Sequence, residues 1–357
     1  MIKIIYAIGH LPYGGAEKLL LDLCTRLDKK RFAVSLVIWQ ENNPLLPAFE
    51  KAGVKVKMIK KNGRFDGAFI SRLSTYFKAE QPDIVHTHLF AGDFWAGKAA
   101  RLAGVKTVVS TKHDVLYEGF LRSFLGARAR RKCLAVIAIS EAVQAHLIRV
   151  EKIAITKVKL IYNGIDFEKF YQENNRLLQS KTIEIGSVGR LVKEKGYKHL
   201  LRACRFIKTS NWHLTLVGDG ELSGELKKQT ELLGLENQVT FTGFVKDIKP
   251  FLEKIDIFVL PSTTEGLSLS VLEAGASGKL LITTDIGGLP EIIDDRRNGL
   301  MFKPKNIERL ARLLNWSIEN PEEARHLAGA LQAKVKEKFD LKKTIPQYEK
   351  FYENIAY

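Results

Sequence analysis

Residues 255–275 read Ile255-Asp-Ile-Phe-Val-Leu260-Pro-Ser-Thr-Thr-Glu265-Gly-Leu-Ser-Leu-Ser-Val-Leu-Glu273-Ala-Gly275. The apolar run 255–260 reads as a buried strand, the small residues after it as a loop, and the segment beyond as a helix. Glu265 then sits in the loop at the strand's carboxyl end and Glu273 on the helix that follows. In open α/β sheets that edge is where ligands bind. Two carboxylates at this spacing are also common as solvated surface charge, so the pair gains meaning from its surroundings.

Working outward, strands and helices alternate, which predicts an α/β fold of parallel sheets with helices on both faces. Strands are expected at 2–8, 32–38, 54–59, 83–88, 106–110, 134–139 and 157–162, and again at 182–188, 213–217, 239–241, 256–260, 280–284 and 299–302. Between the two sets, 166–181 is polar and poor in strand formers and reads as a linker. The expected division is an N-terminal domain at 1–165, a linker at 166–181, a C-terminal domain at 182–340 and a closing helix at 341–357. A chain of 357 residues with 45% hydrophobic composition has enough material for two cores.

Cys24, Cys133 and Cys204 are widely spaced and odd in number, which suggests neither a disulfide framework nor a zinc site and fits a reducing cytoplasm. The first eight residues read as a strand rather than a signal peptide. No run approaches the roughly 18 apolar residues of a membrane span. The net charge of +16 is uneven: residues 1–170 carry +13 and residues 171–357 carry +3. The densest basic stretch runs from 120 to 132, where Phe120, Leu121, Phe124 and Leu125 recur at helical spacing among Arg122, Arg128, Arg130, Arg131 and Lys132. That pattern suits a helix lying on an anionic membrane surface, and equally a crossover helix with its apolar stripe on the sheet. No helix-turn-helix, RNP motif or aromatic-basic platform points to nucleic acid.

Other candidates fall on loops that end strands. Gly14 and Gly15 precede a helix, so backbone and a helix N-terminus can approach a phosphate, although the loop lacks dinucleotide-fingerprint spacing. Arg190 and Lys195 lie in the loop between a strand ending near Val188 and a helix beginning near Tyr197. His113 ends another strand. His86 and His88 share one face of a strand that Asp83 opens, a pairing that hints at metal but lacks a third ligand, so these residues are read as shaping the acceptor side.

These segments resemble glycosyltransferase family 4, the retaining enzymes with two Rossmann-like domains. The resemblance rests on Glu265-x7-Glu273, Arg190 and Lys195 in 187–196, Gly14-Gly15-Ala16-Glu17, His113 in Ser110-Thr-Lys-His-Asp114, Asn163-Gly-Ile-Asp166, Gly218-Asp-Gly220 and Gly287-Gly-Leu-Pro-Glu291, in the family's order. It implies a GT-B fold, with two parallel-sheet domains facing across a cleft and a last helix that crosses back to the first. By the same resemblance Glu273 holds the donor ribose, Glu265 and His113 lie at the donor sugar, and backbone at Phe244 and Val245 holds the base. The N–H groups of Gly266, Leu267, Ser268 and Leu269 would face the diphosphate. Arg190 and Lys195 would stabilise the leaving diphosphate without a metal or other cofactor.

The implied reaction is retaining transfer from a nucleotide-sugar, UDP-sugar favoured, to an anionic lipid-linked or lipopolysaccharide acceptor at the inner face of the cytoplasmic membrane. A nucleotide-sugar epimerase, a phosphorylase and a non-catalytic nucleotide-sugar-binding protein are the alternatives on this fold. A glycosidase using the two carboxylates would leave Arg190 and Lys195 without a purpose. Two departures stand out: Gly278-Lys279-Leu280 where members often have Gly-Lys-Pro, and Glu265-Gly-Leu-Ser268 where they often have Glu-Gly-Phe-Gly. The second weakens the usual expectation of which sugar binds.

Overall fold

The computed structural model describes residues 1–356 except 64–65, 116–118, 174–177 and 179–180. Two compact units emerge, one of Met1–Asn163 with Lys342–Tyr357, the other of Gly164–Leu341.

Unit 1 holds β1 (Ile2–Ala7), β2 (Phe32–Ile38), β3 (Lys55–Met58), β4 (Ile84–His88), β5 (Thr107–Lys112), β6 (Ala135–Ala138) and β7 (Val158–Leu160). They form one parallel sheet in the order β3-β2-β1-β4-β5-β6-β7. Parallel strands covered by helices on both faces need apolar side chains in succession rather than alternation, and β6 (AVIA) is buried throughout. β4 is also buried throughout although it reads IVHTH, so three polar side chains enter the core there. The helix Leu341–Ile355 closes this unit. Leu341, Ile345, Tyr348 and Tyr352 repeat at three- and four-residue intervals and are buried, while Glu349 accepts from the Asp28 N–H at 2.9 Å and pairs with Arg31 at 3.0 Å.

Unit 2 holds β8 (Ile183–Val188), β9 (Trp212–Val217), β10 (Val239–Gly243), β11 (Ile257–Leu260), β12 (Leu280–Thr284) and β13 (Leu300–Phe302), parallel in the order β10-β9-β8-β11-β12-β13. The core on one face joins Leu214, Leu216, Val259 and Ile282 to the helices Tyr197–Cys204 and Ile307–Glu319.

The start of the segment expected as a linker is packed. Phe167 and Phe170 fall on one face of a short helix capped by Asp166, are both 1% exposed, and the Phe170 carbonyl accepts from Ser277 Oγ at 3.0 Å. Burial of two aromatic rings three residues apart is enough apolar surface to hold this short helix against the unit despite its polar neighbours. Within that expectation, 174–177 and 179–180 lie outside the described residues.

Candidate functional site

In unit 2 the chain leaves β8 toward β9 on one side, and β11 lies on the other. The carboxyl ends of β8 and β11 therefore flank the point where strand order reverses, where a crevice opens in such sheets. Loop 189–196 leaves β8, loop 261–268 leaves β11, and glycines let these loops and their neighbours interlock. Gly196, at φ +70°, lies so close to the Pro261 carbonyl that a Cβ would overlap it, and Gly287, at φ +54°, stands in the same relation to the Glu265 carbonyl. The Thr263 N–H donates to the Glu194 carbonyl at 2.7 Å, tying the first two loops directly.

Within this frame Lys195 Nζ lies 2.5 Å from Glu265 Oε1, and Ser262 Oγ donates to the same oxygen at 2.8 Å. Both partners of the ion pair are largely shielded, with side chains 19% and 10% exposed. Lys195 is thus engaged by Glu265 rather than free, whereas Arg190 is exposed. The helix Leu269–Ala276 begins one residue after Ser268, whose side chain meets Ser270 Oγ at 3.1 Å and makes no capping bond. Its first-turn N–H groups therefore receive nothing from the cap side chain, as an anion site requires. Gly266 and Leu267 are buried ahead of it, Leu269 is partly exposed, and Glu273 on this helix is 4% exposed. Phe244, 52% exposed, and the partly buried Val245 follow β10, two strands from β8.

In unit 1, Gly15 opens the helix Gly15–Arg26 with Gly14 as an extended N-cap. The Glu17 carboxylate folds back against Gly14, where a Cβ would overlap Oε2, and Glu17 is buried. This helix start thus already has a protein carboxylate complementing its dipole, which the expectation of an open phosphate site at Gly14 and Gly15 did not include.

The histidines of β4 and β5 form one cluster. His86 is pinned at both ring nitrogens, Nδ1 lying 2.7 Å from Tyr352 Oη and Nε2 2.7 Å from Thr111 Oγ1. Tyr352 Oη is in turn 2.9 Å from Tyr6 Oη. With both nitrogens committed, His86 has no lone pair for a metal. The His88 ring lies 4.5 Å from that of His86, and His88 Nδ1 is 3.0 Å from His113 Nε2. Burial, with the neighbouring histidine adding to it, pushes His86 down to about 3; burial and Lys112, opposed by Asp114, take His113 to about 4; burial holds His88 well below the usual range. Asp83 departs from the expectation that groups it with these residues. It opens β4 at the opposite end from His88, and its Oδ2 accepts from the Lys3 N–H at 2.7 Å.

The basic helix, Phe120–Arg131, also departs in part. Arg130 is 4% exposed and faces inward, donating from Nε and Nη2 to the two Glu151 oxygens at 2.7 Å each and from Nη1 to Asp93 Oδ2 at 2.6 Å. It therefore cannot meet a membrane, because two buried carboxylates need its charge. Arg131 is exposed but donates to the Glu151 carbonyl at 2.6 and 2.8 Å. Arg122, Arg128 and Lys132 are exposed, as are Phe120 (77%), Leu121 (66%) and Phe124 (48%), so the apolar end of the stripe does not pack on the sheet.

Ser262 and Tyr352 belong to these arrangements and carried no expectation of their own, while His88 and Glu17 carried one that did not include the partners they take here. Ser262, three residues before Glu265, and Glu17, three after Gly14, carried a local signal.

A model described as Glycosyltransferase Family 4 matches residues 13–169, and one described as Glycosyl transferases group 1 matches residues 169–333. An uncharacterized glycosyltransferase of Methanocaldococcus jannaschii is 30% identical, the match covering 100% of this chain and 99% of that protein. The UDP-Gal:alpha-D-GlcNAc-diphosphoundecaprenol alpha-1,3-galactosyltransferase of Escherichia coli is 28% identical over 88% of this chain and 87% of its own. Among solved structures, Anabaena HepE in complex with UDP-glucose superposes with a TM-score of 0.89 at 24% identity, covering 99% of this chain and 100% of HepE. No helix among the described residues is long and apolar enough to cross a membrane. With two parallel-sheet Rossmann-like units of the GT-B type and relatives matching along its whole length, the chain belongs to glycosyltransferase family 4.

Proposed function

We propose that this glycosyltransferase moves a sugar, with retention, from a nucleoside-diphosphate sugar to an anionic, membrane-associated acceptor in bacterial polysaccharide, lipopolysaccharide or glycolipid synthesis. The observation that carries the reading is the Lys195–Glu265 pair at the strand-order reversal of unit 2, on the loop that also carries the exposed Arg190. A leaving diphosphate gains negative charge as the glycosidic bond breaks. Fixed cations at that point stabilise the transition state more than the ground state. Arg190 would meet two phosphate oxygens in a planar fork, and Lys195 would share its charge between Glu265 and the phosphate. With the charge supplied this way the reaction as proposed calls for no metal or other cofactor.

The uncapped start of helix Leu269–Ala276 would bring the N–H groups of Gly266, Leu267, Ser268 and Leu269 to the diphosphate, with Glu273 at the ribose and backbone at Phe244 and Val245 at the base. Glu265 and His113 would contact the sugar, and the leaving phosphate would take the acceptor's proton. UDP is the favoured donor nucleotide, in line with the donor in the galactosyltransferase's name and the ligand of the HepE structure.

The diphosphoundecaprenol acceptor named for the same relative supports an anionic lipid acceptor here. So does the exposed apolar end of the basic helix, where Phe120, Leu121 and Phe124 stand beside Arg122, Arg128 and Lys132. Such a face would seat on the inner surface of the cytoplasmic membrane, each basic residue adding about 1 kcal/mol.

The test is mass-spectrometric: purified protein, a panel of UDP-, GDP- and ADP-sugars, and a crude envelope lipid extract, with Glu273→Ala as control. One nucleotide should be released together with a lipid-linked sugar product, and the control should give neither. Donor consumption without any glycosylated product would overturn the transferase reading in favour of an epimerase.

A further inference from the structure

Where β4 ends, beside the residue that follows β5, two imidazoles meet, His88 Nδ1 and His113 Nε2 lying 3.0 Å apart. One N–H must lie between them, and the distance alone does not say whose. The far nitrogens decide. His88 Nε2 and His113 Nδ1 are both buried and have no hydrogen-bond partner among the described residues. Two neutral imidazoles arranged this way carry one proton in the shared bond and one at a far nitrogen, so one orphan N–H exists in either arrangement.

If His113 donates from Nε2, the orphan N–H is His88 Nε2. His88 is 0% exposed on a central strand, and a buried N–H without a partner is among the rarest features of native proteins. If His88 donates from Nδ1, the orphan N–H is His113 Nδ1. His113 borders a cavity of about 300 Å³, together with Thr111, Lys112 and Asp114, while His88 does not. Nδ1 itself is shielded from solvent, so a ligand oxygen at this cavity would supply the missing acceptor where binding uncovers that atom, a route the first arrangement lacks.

We propose that His88 is a positioning residue for His113, holding it in the tautomer with its proton on Nδ1, so that His113 meets its ligand as a neutral hydrogen-bond donor. The ligand is a sugar hydroxyl or ring-proximal oxygen, and the inference rests on the reading of His113 as a donor-sugar contact. His88 is itself held, because the His86 ring packs on it and His86 is fixed at both nitrogens by Tyr352 and Thr111. Burial keeps the three rings neutral near pH 7. A histidine so fixed is no general base, since its remaining lone pair, on Nε2, is occupied by His88. That agrees with the leaving phosphate taking the acceptor's proton.

The experiment is a long-range ¹⁵N–¹H correlation spectrum of the full chain labelled in histidine at pH 7.5, with His113 identified by its loss in His113→Gln. A protonated Nδ1 and a bare Nε2 on His113 are expected, and a protonated Nε2 would overturn the proposal. This readout needs no turnover, so it stands apart from the donor reading, which fails if no nucleotide-sugar is consumed. In turnover, His88→Ala should lower kcat about 10- to 100-fold, the scale of losing an orienting partner. The KM for the donor should stay within about threefold, because the lost interaction belongs to the transition state. His88→Asn, whose amide can still donate to Nε2, should recover most of the loss. An unchanged kcat in His88→Ala would also sink the idea, and should that variant not fold, the wild-type spectrum decides alone.

Discussion

Replacing Arg130 by methionine should destabilise unit 1 by about 3–5 kcal/mol, the cost of stranding one side of a buried ion pair. Three charge-assisted hydrogen bonds disappear, two to Glu151 at 2.7 Å and one to Asp93 at 2.6 Å, and both carboxylates stay buried. Methionine occupies much of the vacated volume, so the loss is electrostatic rather than a cavity effect. Asp93 keeps its bonds from Thr87 and Ser110, each 2.6 Å, while burial already raises its pKa. Burial pushes Glu151 upward too, but hydrogen bonds from His146 and Arg130 outweigh that and bring it to about 2. Without Arg130 both acids shift upward and the folded variant takes up protons that the wild type does not. The deficit should therefore be largest at pH 7.5 and shrink toward pH 5.

The assay is urea unfolding followed by Trp39 and Trp95, with Trp212 and Trp316 changed to phenylalanine so that only unit 1 reports. Arg128→Ala, on the exposed face, should stay within about 0.5 kcal/mol of wild type and act on vesicle binding instead. A deficit below about 1 kcal/mol at pH 7.5, or one that does not shrink toward pH 5, would refute this account of Arg130.

Arg190→Ala should lower turnover by about 10²–10³; the same kcat at saturating donor as wild type would remove Arg190 from the site. Gly287→Ala places a side chain at φ +54° and against the Glu265 carbonyl, so it should cost at least about 1–2 kcal/mol and displace Glu265, read as a lower melting temperature and a reduced kcat; a fully active, equally stable variant would contradict the packing. His86 and His113, held at about 3 and about 4 in the folded chain, ionise near 6.5 when unfolded. The unfolded state binds more protons in between, so stability is full above about pH 6.5 and falls as pH drops toward 4. Urea midpoints at pH 7.5 and 5.5 should differ less in His113→Gln than in wild type, and equal differences would count against the depressed histidine.

Strand positions were legible because most strands of a covered parallel sheet are short, largely apolar runs between turn residues, as in β1, β6 and β12. The loops carrying Arg190, Lys195 and Glu265 were legible for the same reason, since strand order sends both to one edge. Pairings across long separations were not. Arg130 sits among exposed bases of like appearance, and its acids lie 37 and 21 residues away. His86 looked like half of a metal pair until Tyr352, 266 residues on, took one of its nitrogens. Lys195 read as a free cation because one sequence position does not reveal that Glu265 holds it.

The helix Leu341–Ile355 has a consequence for the order in which the protein comes into being. Tyr352 completes a hydrogen-bonded chain with Tyr6 and His86, yet all of unit 2 is translated between them. On the ribosome the first sheet emerges early and must wait, its seat for Tyr348 and Tyr352 bare, while 164–341 is synthesised. Domains usually mature in the order they are made, but here the second can finish before the first. The nascent chain thus spends much of its synthesis with this seat in unit 1 open, a period when chaperone capture or aggregation is most consequential, and it closes only once Tyr348 and Tyr352 have emerged.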